Sequence, residues 1–512
     1  GVTGKPIYAI QDAYVARIGV SPSGYGNVLY LNHADGTTSV YAHLERFAAK
    51  IDEYVKNEQY KNESFAVSLY PDESLLAVKK GDIIAWSGNT GSSGGPHLHF
   101  EIRDTKTENP LNPVFYSLGI TDNSAPEIVS LYVYPLDSLS HVNGRASKKR
   151  FDLLKKGKDY SLKNPEAIQV FGRIGFGIEA YDRFSSSDLK CGIYSAELKV
   201  DEEDVFAFRM DRLSFDFGRA SNAHADYEER VKNRRWVNRL FLLPGNKMDI
   251  YQTNENKGIL RFSDKNTHAV DIIVKDAMNN ASRLKFNLAV TEKIAFESQR
   301  KGSTLFKYNE LNEYSTHKMQ IILPREALYQ DVSFDYNNLG RRDGLYSDIH
   351  QLHYNTEPIH SMAELSIRTE NLPEKLAPKA LIVQIDPISG KMSGIGGKYN
   401  SPWMTAEIRQ FGNYAVTVDT IPPRITSLTI KQPRQLIEKT IRFKINDDLS
   451  GIKSYRGEID GAWALFEYDA KTASLTYTFD QKRLQTGKTH DLKLIVTDNR
   501  DNISEYRTTF YK

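Results

Sequence analysis

The chain is short of cysteine, of net charge and of long apolar runs, and each shortage removes a class of protein. A single cysteine, Cys191, in 512 residues excludes a disulfide framework and a thiolate-rich zinc site, leaving any metal to histidine and carboxylate. Alone in a β-rich stretch, Cys191 reads as a small apolar residue rather than a reactive thiol. Lysine and arginine number 67 against 65 aspartate and glutamate, a net charge of +2, so nothing asks for nucleic acid as a partner. No stretch approaches the roughly 18 apolar residues of a membrane span. The chain opens Gly1-Val2-Thr3-Gly4, neither an initiator methionine nor a signal peptide. The expectation is a trimmed start, with a signal sequence lost upstream.

What is present suits folded β modules. Aromatics make up 11% and hydrophobics 40% of the chain, with glycine and proline spread throughout. Its length exceeds a single core and predicts roughly three to five domains. Between glycine-marked turns, Pro6-Ile7-Tyr8-Ala9-Ile10, Tyr14 to Ile18, Val28 to Leu31 and Thr38 to Ala42 alternate apolar and polar positions, as short antiparallel strands do. Phe47, Ile51, Tyr54 and Val55 fall at helical spacing between Glu45 and Tyr60, which predicts an amphipathic helix. Sheet returns at Ile83-Ile84-Ala85-Trp86 and at Leu98 to Ile102, with a turn at Gly88 to Gly95 between them.

From Asp122 onward the chain repeats itself. Asp122 to Leu131 recurs as Asp419 to Leu428, Cys191-Gly192-Ile193-Tyr194-Ser195 as Ser450-Gly451-Ile452-Lys453-Ser454, and Asp271 to Asn280 as Lys493 to Asn502. Three matches in the same order define a repeat. Each copy opens on a proline-bearing linker and closes with strand, polar turn and strand, as an immunoglobulin-like sandwich does. The expected division is 1–117, with a helical insertion at about 45–78; 118–292, with an insertion at about 201–265; a β-rich domain of unknown role at 303–417; and 418–512. The polar, basic stretch Thr291 to Thr304 reads as a junction.

Chemistry concentrates in the first 117 residues. His97 and His99 are two apart in an apolar pattern, and a strand's period of two places both on one face. The glycine- and serine-rich approach Ser87 to Pro96 would leave the strand's start open to a ligand. His43 ends another predicted strand in Tyr41-Ala42-His43-Leu44; neutral imidazoles ligate metals or shuttle protons. His33 in Asn32-His33-Ala34-Asp35-Gly36 and Asp12 before a strand read more simply as turn residues. Asp348, His350, His353 and His360 imitate a metal site but follow Arg341-Arg342-Asp343-Gly344 in an expected loop. Asp276 with Asn279-Asn280, and Asp498 with Asp501-Asn502, lack the alternation and closing Glu of an EF-hand and read as Asx-type hairpin turns.

Gly4-Lys5-Pro6-Ile7-Tyr8-Ala9, Asp12, Asn32 to Gly36, Tyr41-Ala42-His43-Leu44, Lys80-Gly81-Asp82 and Ser87 to Glu101 resemble, in order, the blocks of lysostaphin/LytM-type zinc metallopeptidases, family 23 of the metallopeptidases. The resemblance implies a small antiparallel, duplicated-hybrid-motif-like peptidase domain ahead of the immunoglobulin-like β sandwiches. It implies one Zn2+, with His99 as a ligand and His97 and His43 as the non-ligand histidines that handle the water and the developing oxyanion. The family's other two ligands, the His and Asp of an H-x-x-x-D block, are expected upstream of Gly1. The implied activity is hydrolysis of peptide cross-links in bacterial peptidoglycan by a periplasmic, envelope-anchored or secreted enzyme. Two other readings stand beside it: an inactive relative that binds peptidoglycan or activates another wall hydrolase, and an envelope adhesin or scaffold whose C-terminal β modules engage other envelope proteins. The segment between His43 and Gly81 is placed to border or cover a groove.

Overall fold

The computed structural model describes residues 1–116, 118–185, 187–294, 296 and 304–512. Most of the Thr291–Thr304 junction lies outside these residues. The described chain is mainly β from Pro6 to Tyr511.

Two antiparallel sheets build the N-terminal domain. Its elements are β1 (Pro6–Tyr8), β2 (Ala13–Val20), β3 (Val28–His33), β4 (Thr37–Ala42), β5 (Leu44–Phe47), α1 (Ala49–Lys61), β6 (Val67–Leu69), β7 (Ala77–Val78), β8 (Ile83–Ser87), β9 (His99–Asp104) and β10 (Pro110–Leu111). The larger sheet runs β10-β9-β4-β3-β2-β6 with β7 also on β2, and the smaller runs β1-β8-β5. Val15, Leu29, Leu31, Tyr41 and Leu44 pack with Ile84 and Ala85 between them. The expected helix begins later than its apolar spacing suggested. Leu44 and Phe47 are buried with Glu45 and Arg46 exposed, a strand pattern that pairs with β8. Helical period then takes over, and Ile51, Val55 and Gln59 form the buried stripe of α1.

The remaining chain forms β sandwiches. One sheet system of twelve strands surrounds Leu131, Phe176, Ile178, Phe208 and Leu284. The 201–265 stretch contributes the strand Glu203–Arg209 and the short helices Ser221–His224 and Tyr227–Asn233. Part of it covers a smaller apolar cluster around Tyr132, Tyr134 and Phe241. Two five-stranded sheets and a strand pair enclose Phe306, Ile321, Leu365 and Phe411, and a four- and a five-stranded sheet enclose Phe443, Phe466 and Phe510. Both copies of the repeat end in a hairpin, Thr267–Lys275 with Ala281–Val290 and Thr489–Asp498 with Ile503–Tyr511. The last sandwich rests on the peptidase-like domain. Trp463 meets Tyr60 edge-on at 5.1 Å, Arg483 lies 3.6 Å over the Tyr60 ring, and Arg456 pairs with Glu63 at 2.6 Å.

Candidate functional site

His43, His97 and His99 each contribute a ring nitrogen to one cluster, the three atoms lying within 4.8 Å of one another. His43 follows β4 in the left-handed backbone region, φ 60°, which turns the chain from the large sheet into β5. The corner is tight. A Cβ on Gly88 would lie 2.3 Å from the Glu45 nitrogen and 2.8 Å from the His43 carbonyl oxygen, so the β8 end requires glycine. His97 is not part of a continuous strand with His99. It makes an isolated bridge to Gly88, and β9 begins at His99. Period two alone therefore does not bring the pair together; the bridge to Gly88 does so across the turn.

Each ring is fixed through one nitrogen. His43 Nδ1 donates to the Thr90 carbonyl at 2.8 Å, and His97 Nδ1 to the Gly95 carbonyl at 2.8 Å, with Ser93 Oγ 3.2 Å from the same nitrogen. These bonds leave Nε2 of both rings as the free atom. His99 is held the opposite way, Nε2 against Glu101 Oε1 at 2.6 Å, which leaves Nδ1. The His43 ring centroid lies 4.9 Å from His97 and 5.6 Å from His99. Burial lowers the His43 pKa, with its sister histidines adding to the effect, so His43 rests neutral.

Glu101, in the sequence simply the last residue of the Ser87–Glu101 block, is a hub of the site. It accepts from His99, from Arg103 Nε at 2.7 Å and from the Tyr25 hydroxyl at 2.6 Å. Burial would raise its carboxyl, yet these hydrogen bonds outweigh burial and bring it down to about 2. The signal was available: His99, Glu101 and Arg103 alternate along one strand and so share a face. Tyr25, 5.1 Å from His99 ring to ring, carries no comparable pattern because it comes from a loop. Thr90 acts through a backbone carbonyl, which no side-chain motif reveals.

Along the same sheet face, about 13 Å of β9 separates His99 from Arg103 at the usual rise. A groove of about 360 Å³ opens there, lined by Arg103, Tyr30, Arg17, Tyr14 and Tyr70. Tyr70 belongs to the segment between His43 and Gly81, so that segment borders the groove, while its helix packs into the core.

Other sequence candidates lie elsewhere. His33 is buried, bonded to Ser39 Oγ at 2.8 Å with Nδ1 3.2 Å from the Asp12 carbonyl, and the Asp12 carboxylate takes Lys79 and the Lys80 amide. Asp348 pairs with Lys318, His350 with the Tyr336 hydroxyl and His360 with the Tyr329 hydroxyl. They do not converge, and His350 sits on a strand rather than in a loop. Cys191 is half-buried, its thiol pushed up by burial and by Asp182 and Asp122. Asp498 accepts the Arg500 amide two residues on, as an Asx turn does, and both Asp276 and Asp498 accept the amide four residues on, from Asn280 and Asn502.

The peptidase family M23 model matches residues 1–60 and 74–113, and a Zu5-like domain model matches 303–419. Lipoprotein NlpD of Yersinia enterocolitica is 32% identical over 112 residues, 22% of this chain and 91% of that protein. The DD-carboxypeptidase/endopeptidase Mpg of Neisseria meningitidis is 31% identical over 115 residues, 22% of this chain and 20% of that protein. The chain thus spans about a fifth of the Mpg length. The catalytic domain of lysostaphin from Staphylococcus simulans is similar at 28% identity, covering 23% of this chain and 72% of that one with a TM-score of 0.17. Through its first 113 residues, the chain belongs to peptidase family M23.

Proposed function

We propose that the N-terminal domain is a zinc-dependent endopeptidase that cleaves peptide cross-links of bacterial peptidoglycan in the cell envelope or outside the cell. The observation that carries this reading is the gathering of the three histidines, a ring nitrogen of each within 4.8 Å of the others and each ring tethered through one nitrogen to a neighbouring acceptor. His99 offers the imidazole that zinc favours, and the Glu101 carboxylate on its Nε2 is the kind of partner that fixes a ligand's tautomer. His99 would hold the ion through Nδ1. When bound, zinc supplies Lewis acidity that brings its water's pKa towards neutrality and polarises the scissile carbonyl.

The chain's own residues then handle protons and position. His97, exposed and with its Nδ1 proton committed to Gly95, presents Nε2 as an acceptor and is the general base for the attacking water. His43 has the same polarity, since Nδ1–H points to Thr90. It can therefore serve the oxyanion only after gaining a proton. The two rings lie 4.9 Å apart and form one proton-holding pair. The proton taken from water resides there, lends a donor to the tetrahedral oxyanion and passes to the leaving amine. Arg17 and the tyrosines of the groove hold the peptide in line.

Zinc content and muropeptide release from purified peptidoglycan test the reading. His97→Ala should keep zinc and lose about 10²–10⁴-fold in release; His99→Ala should lose the metal. Equal release by wild type and both variants would sink the proposal.

A further inference from the structure

Among the described residues, two further clusters bring three metal-ligating side chains within 4.8 Å: Asp122, Asp182 and Asp276 in the first copy of the repeat, and Asp419, Asp447 and Asp498 at the equivalent positions of the second. The first is the unusual one. Its aspartates are 8%, 4% and 2% exposed. Asp122 lies on the connection out of the peptidase domain, Asp182 one residue beyond the strand Ile168–Tyr181, and Asp276 one beyond the strand Thr267–Lys275.

Their oxygens can be accounted for one by one. Asp122 Oδ1 accepts the Ser124 and Ser185 amides, both at 3.0 Å, and the Ser185 hydroxyl at 2.7 Å. Asp276 takes Asn280 N at 2.8 Å and Asn280 Nδ2 at 2.7 Å. Asp182 Oδ2 has the Cys191 thiol, 3.9 Å away, and the Arg183 amide is the carboxylate's other donor. Asp122 Oδ2 and Asp182 Oδ1 are buried with no donor at all. A buried carboxylate oxygen without a hydrogen bond is strongly disfavoured, and this cluster, whose three carboxylates each bring an oxygen within 4.8 Å of the others, holds two. Burial pushes the Asp182 carboxyl up to about 6 against the Arg183 amide, which lowers it, and the charges of Asp276 and Asp122 add to the rise. The backbone is already fixed around the cluster, since Asn280 Nδ2 also donates to the Asp122 carbonyl and Ser282 to the Pro126 carbonyl. A cavity of about 390 Å³ gives access.

The second copy differs where it matters. Asp419 receives Ile421 N and Ser450 N on its two oxygens, and Asp498 receives Arg500 N, Asn502 N and Asn502 Nδ2. Neither carboxylate is left with an orphaned oxygen. Arg500, at the position of Met278, lies within electrostatic reach of Asp498 and Asp419. The second cluster carries its own cation, whereas the first has an apolar side chain there.

We propose that Asp122, Asp182 and Asp276 form a Ca2+ site that locks the connection from the peptidase domain to the strand ends of the first sandwich. An all-carboxylate set with neither imidazole nor thiolate selects a hard divalent cation, and irregular geometry with room for water favours Ca2+ over the strictly octahedral Mg2+. The site is independent of the histidine cluster.

Tb3+, which stands in for Ca2+, reports directly because Trp236 and Tyr194 line the same cavity. Full-length protein freed of metal should show sensitised Tb3+ emission, displaced by Ca2+ with a stoichiometry of one and by Mg2+ at least tenfold less effectively. Asp182→Asn, which keeps the side chain's shape, and Met278→Arg, which copies the second cluster's cation, should each weaken Ca2+ displacement at least tenfold. Asp419→Asn should leave it unchanged. Circular dichroism confirms that each variant is folded, and the two variants of the first cluster guard against misfolding of either. Absence of a saturable Ca2+ site, equal affinity for Mg2+, or unaltered binding in both folded variants would overturn the proposal.

Discussion

Replacing Gly91 with alanine should loosen the turn that holds His43 and His97, and the cost can be built from the structure. Gly91 has φ +68°, where a Cβ costs about 1–2 kcal/mol. That Cβ would also sit 2.3 Å from the Gly26 nitrogen and 2.4 Å from the Gly24 carbonyl oxygen. Backbone on both sides must part. Doing so stretches Ser92 N to Gly24 O, now 2.8 Å, and Gly24 N to Ser92 Oγ, now 2.9 Å, each worth about 1 kcal/mol. The sum is about 3–4 kcal/mol, concentrated in residues that carry the Thr90 carbonyl under His43. Gly94, three residues on, has an ordinary backbone and open space on its Cα, where a methyl group would meet nothing within 4 Å. Gly94→Ala should therefore change stability by less than about 0.5 kcal/mol. Urea titration of the full chain, read by hydrogen exchange of segments 23–27 and 88–99, separates the two. Indistinguishable exchange in the two variants would refute the close-approach reasoning.

Other outcomes follow from the same accounting. Glu101→Ala strips the carboxylate from Arg103, whose side chain is 6% exposed, and should destabilise the domain by about 3 kcal/mol and weaken zinc binding about 10–100-fold; unchanged zinc affinity by competition with a chelator would contradict the role given to Glu101. His224 is fully enclosed between Asn238 and Tyr251, and burial lowers its pKa from 6.5 to about 4. Below pH 6.5 the unfolded chain binds a proton the folded chain refuses, so stability should fall by about 3 kcal/mol between pH 6.5 and 4. His224→Gln should flatten that slope in hydrogen exchange of the first sandwich, and a persistent slope would assign it elsewhere. Tyr60→Ala removes the ring between Trp463 and Arg483 and should release about 1–2 kcal/mol of contact between α1 and the last sandwich. Unaltered exchange across 49–61 and 462–468 would show that contact to be idle.

Sequence by itself determined the β class, the repeat and the membership in the M23 family, because alternation, turn residues and ordered blocks are local properties of the chain. It also supplied His43, His97 and His99 as a set. Tertiary structure decided how they work together. The His97–Gly88 bridge, the Thr90 and Gly95 carbonyls that set two tautomers and the Tyr25–Glu101 bond join segments far apart in the chain, and backbone acceptors leave no mark in a side-chain pattern. The aspartate cluster makes the same point more sharply. Asp276 and Asp498 share a motif and the same bonds to an asparagine four residues on, yet among the described residues the first cluster alone leaves two of its carboxylate oxygens bare. Spacing fixes which residues are neighbours along a strand, whereas burial and the presence or absence of a guanidinium such as Arg500 fix whether their charges are already answered.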